Sequence, residues 1–280
     1  MRGSIACPDA GSLRYGGNTS CLEVRCGDAL LILDGGTGIR YLGQALGPAR
    51  LKAEILLTHT HFDHVCGLPF FAPFFDPANS FRMWSGHLAG RLTTKEAMTG
   101  LMMSPFHPVP PEIFQAAVEF RDFAAGDVLE PAPGVRVKTA PLNHPDGACG
   151  YRIEFAGRSI AYVTDTEHVP GRLDANILGL IEKADVFIYD ATYTDEEFDA
   201  KMGMGHSTWQ EGARLADAAG AGLYVAFHHE PAHDDQFLDI VAAALGVRRP
   251  GSLLAREGLI LKPAEVAPGA KSSVTRVTAP

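Results

Sequence analysis

The chain has 280 residues, 46% hydrophobic and 20% charged, a balance that excludes disordered and fibrous classes and leaves enough apolar material for a sizeable core. Thirty-three acidic residues against 24 basic ones give a formal charge of −9, and no dense Lys/Arg block is present to neutralise a run of phosphates, which argues against a large nucleic-acid partner. Five cysteines without a C-x-x-C pair exclude a disulfide framework and a cysteine zinc knuckle, and the lack of a signal-like start or a membrane-length apolar run points to a cytoplasmic location and no membrane partner.

The chain enters at MRGS, so an edge strand expected ahead of the first hairpin is either missing or supplied differently. The stretch from Gly16, GGNTSCLEVRCGDALLILDGG, carries two apolar runs, Cys21 to Val24 and Ala29 to Leu33, separated by Gly27-Asp28, which is a hairpin pattern. Asp34-Gly-Gly-Thr-Gly then leads into helical spacing at Leu42 and Leu46. That glycine turn is too short for a nucleotide cradle, and close backbone packing is its expected use. A compact strand, AEILL, runs from Ala53 straight into THTHFDHVCGLPFF.

Segment 70–111 is rich in Phe, Met and Pro without a clear period and reads as an inserted flap or packing segment, with a short helix around residues 90–103. Its apolar stretches, Phe70 to Phe75 and Leu101 to Phe106, read first as core, with a homodimer face or an apolar wall over substrate as alternatives. The second half returns to strands, and each ends in a polar residue. Val135 to Thr139 precedes Asn143-His144, a hairpin through Gly157 delivers Thr164-Asp165, Val186 to Tyr189 precedes Asp190, and Leu223 to Phe227 precedes His228-His229. Thr208 to Ala219 has helical spacing. The alternation of strands and helices indicates an α/β fold, one domain over 1–262, with 263–280 as a flexible tail.

His59-Thr60-His61-Phe62-Asp63-His64 places three imidazoles and a carboxylate within six residues, just past a buried strand and in the loop region where α/β folds carry chemistry. Nitrogen and oxygen donors of this kind suit zinc or a neighbouring first-row ion, and a solvated polar turn explains them poorly. His144 and His228, taken alone, are ordinary loop histidines. They gain weight because a divalent site needs more donors than one turn supplies.

These residues resemble the metallo-β-lactamase superfamily, whose H-x-H-x-D-H signature is matched without substitution from His59 to His64, and the resemblance covers about Gly16 to Lys262. It implies a four-layer αβ/βα sandwich with two divalent ions, zinc first, manganese or iron next. It further implies that His59, His61 and His144 hold one ion, that Asp63, His64 and His228 hold the other, and that Asp165 bridges them. His229 competes with His228 for the last position, and His228 is favoured because it follows the strand directly. Such an ion pair, ~3.5–4 Å apart, lowers the pKa of a shared water and stabilises both oxygens of a displacement.

Gly205-His206-Ser207-Thr208 resembles the Gly-His-Ser element of ribonuclease Z and related phosphodiesterases, which makes His206, with Asp63, a catalytic candidate. The competing reading makes His206 a helix-entry residue beside a Ser207 or Thr208 cap. The long arm by which ribonuclease Z engages tRNA has no counterpart here. The expected function is therefore a metallo-hydrolase acting on a small or cyclic phosphodiester. The alternatives are a lactone or thiolester hydrolase of the same fold, or a di-iron redox or scaffold protein. His87, His107, His168 and His233 read as surface or packing histidines, and Cys66 as a small apolar residue.

Overall fold

The computed structural model describes residues 1–48 and 50–263, so nearly all of the expected tail lies outside the described residues. The chain divides into two compact units, residues 19–127 and residues 1–18 with 128 onward.

In the 19–127 unit the described residues form a five-stranded sheet in the order β1-β2-β3-β4-β5. β1 (Leu22–Cys26) and β2 (Ala29–Leu33) pair antiparallel as the expected hairpin. β3 (Lys52–Leu57), β4 (Ser80–Ser85) and β5 (Ala117–Asp122) add on in parallel. β3 is buried along Ala53–Leu57, as a central parallel strand covered on both faces must be. α1 (Gly38–Leu46) buries Ile39 and sets Gly43 against Phe71 and Pro73, where a Cβ would come within 3.0 and 2.9 Å. Leu30, Ile32, Ile55, Leu57, Phe71, Phe74, Phe81 and Met83 belong to the core of this unit.

Segment 70–111 departs from the flap expectation, because it supplies β4 to the middle of the sheet. Phe81, Met83 and Ser85 point inward, while Arg82 and Trp84 alternate with them. The intervening positions look apolar in sequence at Trp84 and charged at Arg82, yet both side chains donate to Glu54 of β3, Arg82 Nε at 2.9 Å and Trp84 Nε1 at 2.8 Å. The helix expected nearby is α3 (Thr94–Leu101), which starts at a reciprocal Thr93–Glu96 capping box; the four-residue α2 (Phe62–Val65) lies earlier, within the histidine motif.

The second unit carries seven strands among its described residues, ordered β12-β11-β10-β9-β8-β7-β6. β6 (Val128–Ala132), β7 (Val135–Leu142), β8 (Ala148–Phe155) and β9 (Arg158–Val163) form an antiparallel meander. β10 (Val186–Asp190), β11 (Leu223–Phe227) and β12 (Leu253–Leu254) continue from β9 in parallel. α4 (Ala175–Ile181), α5 (Asp195–Lys201), α6 (Trp209–Ala218) and α7 (Asp235–Arg248) complete it. Thr208 caps α6 through the Glu211 amide, and Ala213, Leu215 and Ala216 of that helix pack into the core with Phe187, Tyr189 and Tyr224. No full strand stands at the chain start; instead Arg2 makes a single parallel bridge to His229 beyond β11. Among the described residues no helix is long and apolar enough to cross a membrane.

Candidate metal centre

In the 19–127 unit, β3 ends at Leu57 and hands the chain to Thr58 and His59. His61 stands at the N-cap of α2, whose first turn places Asp63 and His64. The four motif residues crowd together. The His59 ring lies 4.5 Å from that of His61 and 4.3 Å from that of His64, and His64 Nε2 is 3.2 Å from Asp63 Oδ2.

The support beneath them is a buried carboxylate, Asp34, placed by β2. Its Oδ2 accepts from His64 Nδ1 at 2.9 Å, and its Oδ1 accepts from the Thr58 amide at 2.7 Å. The Thr58 hydroxyl donates to the same carboxylate at 3.0 Å, so its oxygen can accept from His59 Nδ1 at 3.1 Å. Both rings thereby carry their proton on Nδ1 and turn Nε2 the other way, the arrangement by which an outer carboxylate fixes the tautomer of a metal-binding histidine. The glycine turn after Asp34 packs closely under the motif loop: a Cβ on Gly36 would sit 2.2 Å from the Asp63 carbonyl oxygen, and the Gly35 amide donates to the His64 carbonyl at 2.7 Å.

In the other unit, His144, Asp165 and His228 follow β7, β9 and β11. Asp165 presents Oδ1 to His144 Nε2 at 3.8 Å and Oδ2 to His228 Nε2 at 3.4 Å, so its two oxygens face different imidazoles. His144 Nδ1 donates to the Gly205 carbonyl at 2.7 Å, and His228 Nδ1 lies 3.1 Å from the Thr192 hydroxyl. Both Asp165 and His228 have left-handed backbones, with φ of 57° and 63°, which aim their side chains off the strand ends.

His206 stands on the fully buried Asp190, with Nδ1 3.0 Å from Asp190 Oδ2 and 3.7 Å from Asp165 Oδ1. Burial alone would raise the Asp190 carboxyl; the His206 and His228 imidazoles outweigh it and hold it below the ordinary carboxylate value. The donor atoms of His144, Asp165 and His206 lie within 4.8 Å of one another, as do those of Asp190, His206 and His228. His229 is turned elsewhere: its Nε2 donates to the Ala255 carbonyl at 2.8 Å, and burial keeps the ring neutral by pulling its pKa well down.

The other histidines each have a local partner. His87 spans the hydroxyls of Thr60 and Ser85 at 3.1 and 3.2 Å, His107 bonds the Val109 carbonyl, His168 stacks on Phe198, and His233 pairs with Glu197. Burial pushes the Cys66 thiol up, consistent with an inert small side chain. Imidazole nitrogen and carboxylate oxygen donors with their backs tied to carboxylates, hydroxyls and carbonyls fit a divalent first-row ion. Sequence reasoning missed the supports, Asp34 with Thr58 and Asp190 with Thr192; the available signal was that Asp34 and Asp190 stand at strand ends, as Asp165 does.

A family model described as "Beta-lactamase superfamily domain" matches residues 31–229. The chain belongs to this superfamily. Its fold is accordingly the metallo-β-lactamase α/β sandwich, and as a member of the superfamily it is a metal-dependent hydrolase. A curated relative from Bradyrhizobium sp. (strain ORS 278), named Ribonuclease Z, is 27% identical over 81% of this chain and 88% of its own. Among solved structures, the metallo-β-lactamase fold protein YhfI from Bacillus subtilis has a TM-score of 0.68 at 18% identity, covering 93% of this chain and 96% of that one. The short form of human tRNase Z has a TM-score of 0.64 at 19% identity, covering 94% and 96%.

Proposed function

We propose that this superfamily member is a phosphodiesterase for a small or cyclic phosphodiester, with two divalent ions, zinc first, held by His59, His61, Asp63, His64, His144, Asp165 and His228. His59, His61 and His144 would serve one ion and Asp63, His64 and His228 the other, with Asp165 shared. Bound there, the ions supply charge stabilisation to phosphoryl oxygens and lower the pKa of a water.

The observation that carries the phosphate reading is the His206–Asp190 pair beside Asp165. A carboxylate behind Nδ1 balances the charge His206 carries when doubly protonated, so Nε2–H can pass to the oxygen that leaves phosphorus. That is more than a helix-entry residue does, since the cap itself is made by Thr208. Asp63, at the first turn of α2, sets Oδ2 3.2 Å from the unprotonated His64 Nε2, so the carboxylate and the ring would offer their donor atoms to the same ion.

A second reading, a polynucleotide phosphodiester, is favoured by the ribonuclease Z name of the curated relative. The net charge of −9 weighs against it, because a long backbone must be neutralised by cations.

The test is hydrolysis of bis(p-nitrophenyl) phosphate, a cyclic nucleotide, a 3′-extended tRNA, a lactone and a thiolester by wild type and His206→Ala, with metal content measured on both. The expected outcome is phosphodiester turnover that chelation abolishes and zinc or manganese restores. In His206→Ala turnover should fall by roughly 10²–10⁴-fold, the worth of a positioned acid, with metal retained. Turnover of the carbonyl substrates alone would retire the phosphate chemistry.

A further inference from the structure

Two residues beyond Asp165, Glu167 reaches to the loop that precedes His206. Its Oε2 accepts from the amide of Gly203 at 2.7 Å and from that of Gly205 at 2.9 Å. The Gly205 carbonyl, one peptide on, is the acceptor for His144 Nδ1 at 2.7 Å. The Glu167 backbone is itself tied to the His144 segment: its amide donates to the Asn143 carbonyl at 2.8 Å, and Asn143 Nδ2 donates to the Glu167 carbonyl at 2.8 Å. One carboxylate oxygen therefore sits behind both the carbonyl that orients His144 and the peptide that begins His206.

The loop needs such a clamp. Gly203 and Gly205 adopt φ of 88° and 82°, conformations open to glycine, and glycine backbone is stiffened little by its own sterics. Gly205 cannot be replaced by a stiffer residue without cost, because a Cβ there would lie 2.5 Å from His144 Nδ1. Rigidity has to come from outside the loop, and Glu167 supplies it with a charged acceptor, which makes the stronger kind of hydrogen bond.

We propose that Glu167 is a positioning residue of this half-site, holding the 203–205 loop so that His144 stays oriented as a donor and His206 stays against Asp190. The proposal rests on the reading of His144 as a metal donor given above. It is tested with wild type, Glu167→Ala and Glu167→Gln by zinc affinity in competition with a chromophoric chelator, the visible spectrum of the cobalt-loaded proteins, and kcat and KM on bis(p-nitrophenyl) phosphate.

In Glu167→Ala, zinc affinity should weaken by on the order of ten- to a hundredfold, as loss of an outer support does. The cobalt bands should shift, and kcat should fall more than KM rises. Glu167→Gln, whose amide oxygen can accept from both glycine amides, should recover most of each. Unchanged zinc affinity and cobalt bands in Glu167→Ala overturn the proposal, and so do equal losses in the two variants. Should wild type hydrolyse no phosphodiester, the substrate reading fails alone, and the zinc and cobalt comparisons still decide the role of Glu167.

Discussion

Asp34 and Asp190 perform the same task in different units. Each is fully buried, stands at the end of a strand, accepts from a threonine hydroxyl and sits behind a histidine Nδ1. A buried carboxylate without such donors would be costly, so these bonds are what permit it. The histidines and Asp165 stand out in the sequence as candidates because their spacing is local or follows a strand end. Asp34 was not, because its partners Thr58 and His64 lie 24 and 30 residues on and meet it only after β2 and β3 pair. Asp34 also has φ of 62°, a conformation asparagine tolerates well, so Asp34→Asn removes the charge without adding backbone strain. That variant should lose on the order of ten- to a hundredfold in zinc affinity. A chelator titration showing wild-type affinity would refute the supporting role.

At the scale of elements, the strands that lead into the candidate site residues were legible because they are short, apolar runs followed by His or Asp. β4 was hidden by the polar duties of its outward face, and β5 by exposure along most of its length. α7 buries Leu238, Val241 and Leu245 at helical spacing, but its exposed Ile240 and Val247 blur the apolar stripe that would have announced it. Glu54 is the acceptor that makes β4 intelligible, serving Arg82 and Trp84 from a position only 4% exposed. Glu54→Ala should destabilise by about 1–3 kcal/mol, the cost of leaving buried donors without an acceptor, moderated by the partial exposure of Arg82. Urea unfolding would measure it. Metal content should not change, and a variant as stable as wild type would show that the strand pair does not depend on this carboxylate.

For the molecule as a whole, the single-domain reading of 1–262 is kept as a proposal beside the two compact units. Calorimetry should show one cooperative transition for the zinc-loaded protein, and two separated transitions would sink the single-domain reading. Chelation should lower the melting temperature, because ions that bind only the native state add about 4 kcal/mol when free zinc is a thousandfold above its Kd. Re-addition of zinc should restore it. A melting temperature indifferent to chelator would argue that the clusters hold no ion.

The bridge between Arg2 and His229 has a consequence for how the chain is made. Residues 19–127 are contiguous, and their sheet can close while the ribosome is still adding the remainder. The unit that carries His144, Asp165, His206 and His228 has no such freedom. Gly3, whose amide donates to the His229 carbonyl and whose missing Cβ leaves room for the His228 ring, must wait for a partner synthesised some two hundred residues later. Gly3 and its neighbours therefore leave the ribosome well before the residues they pack on, and His228 meets them only after the chain has been made through the end of β11.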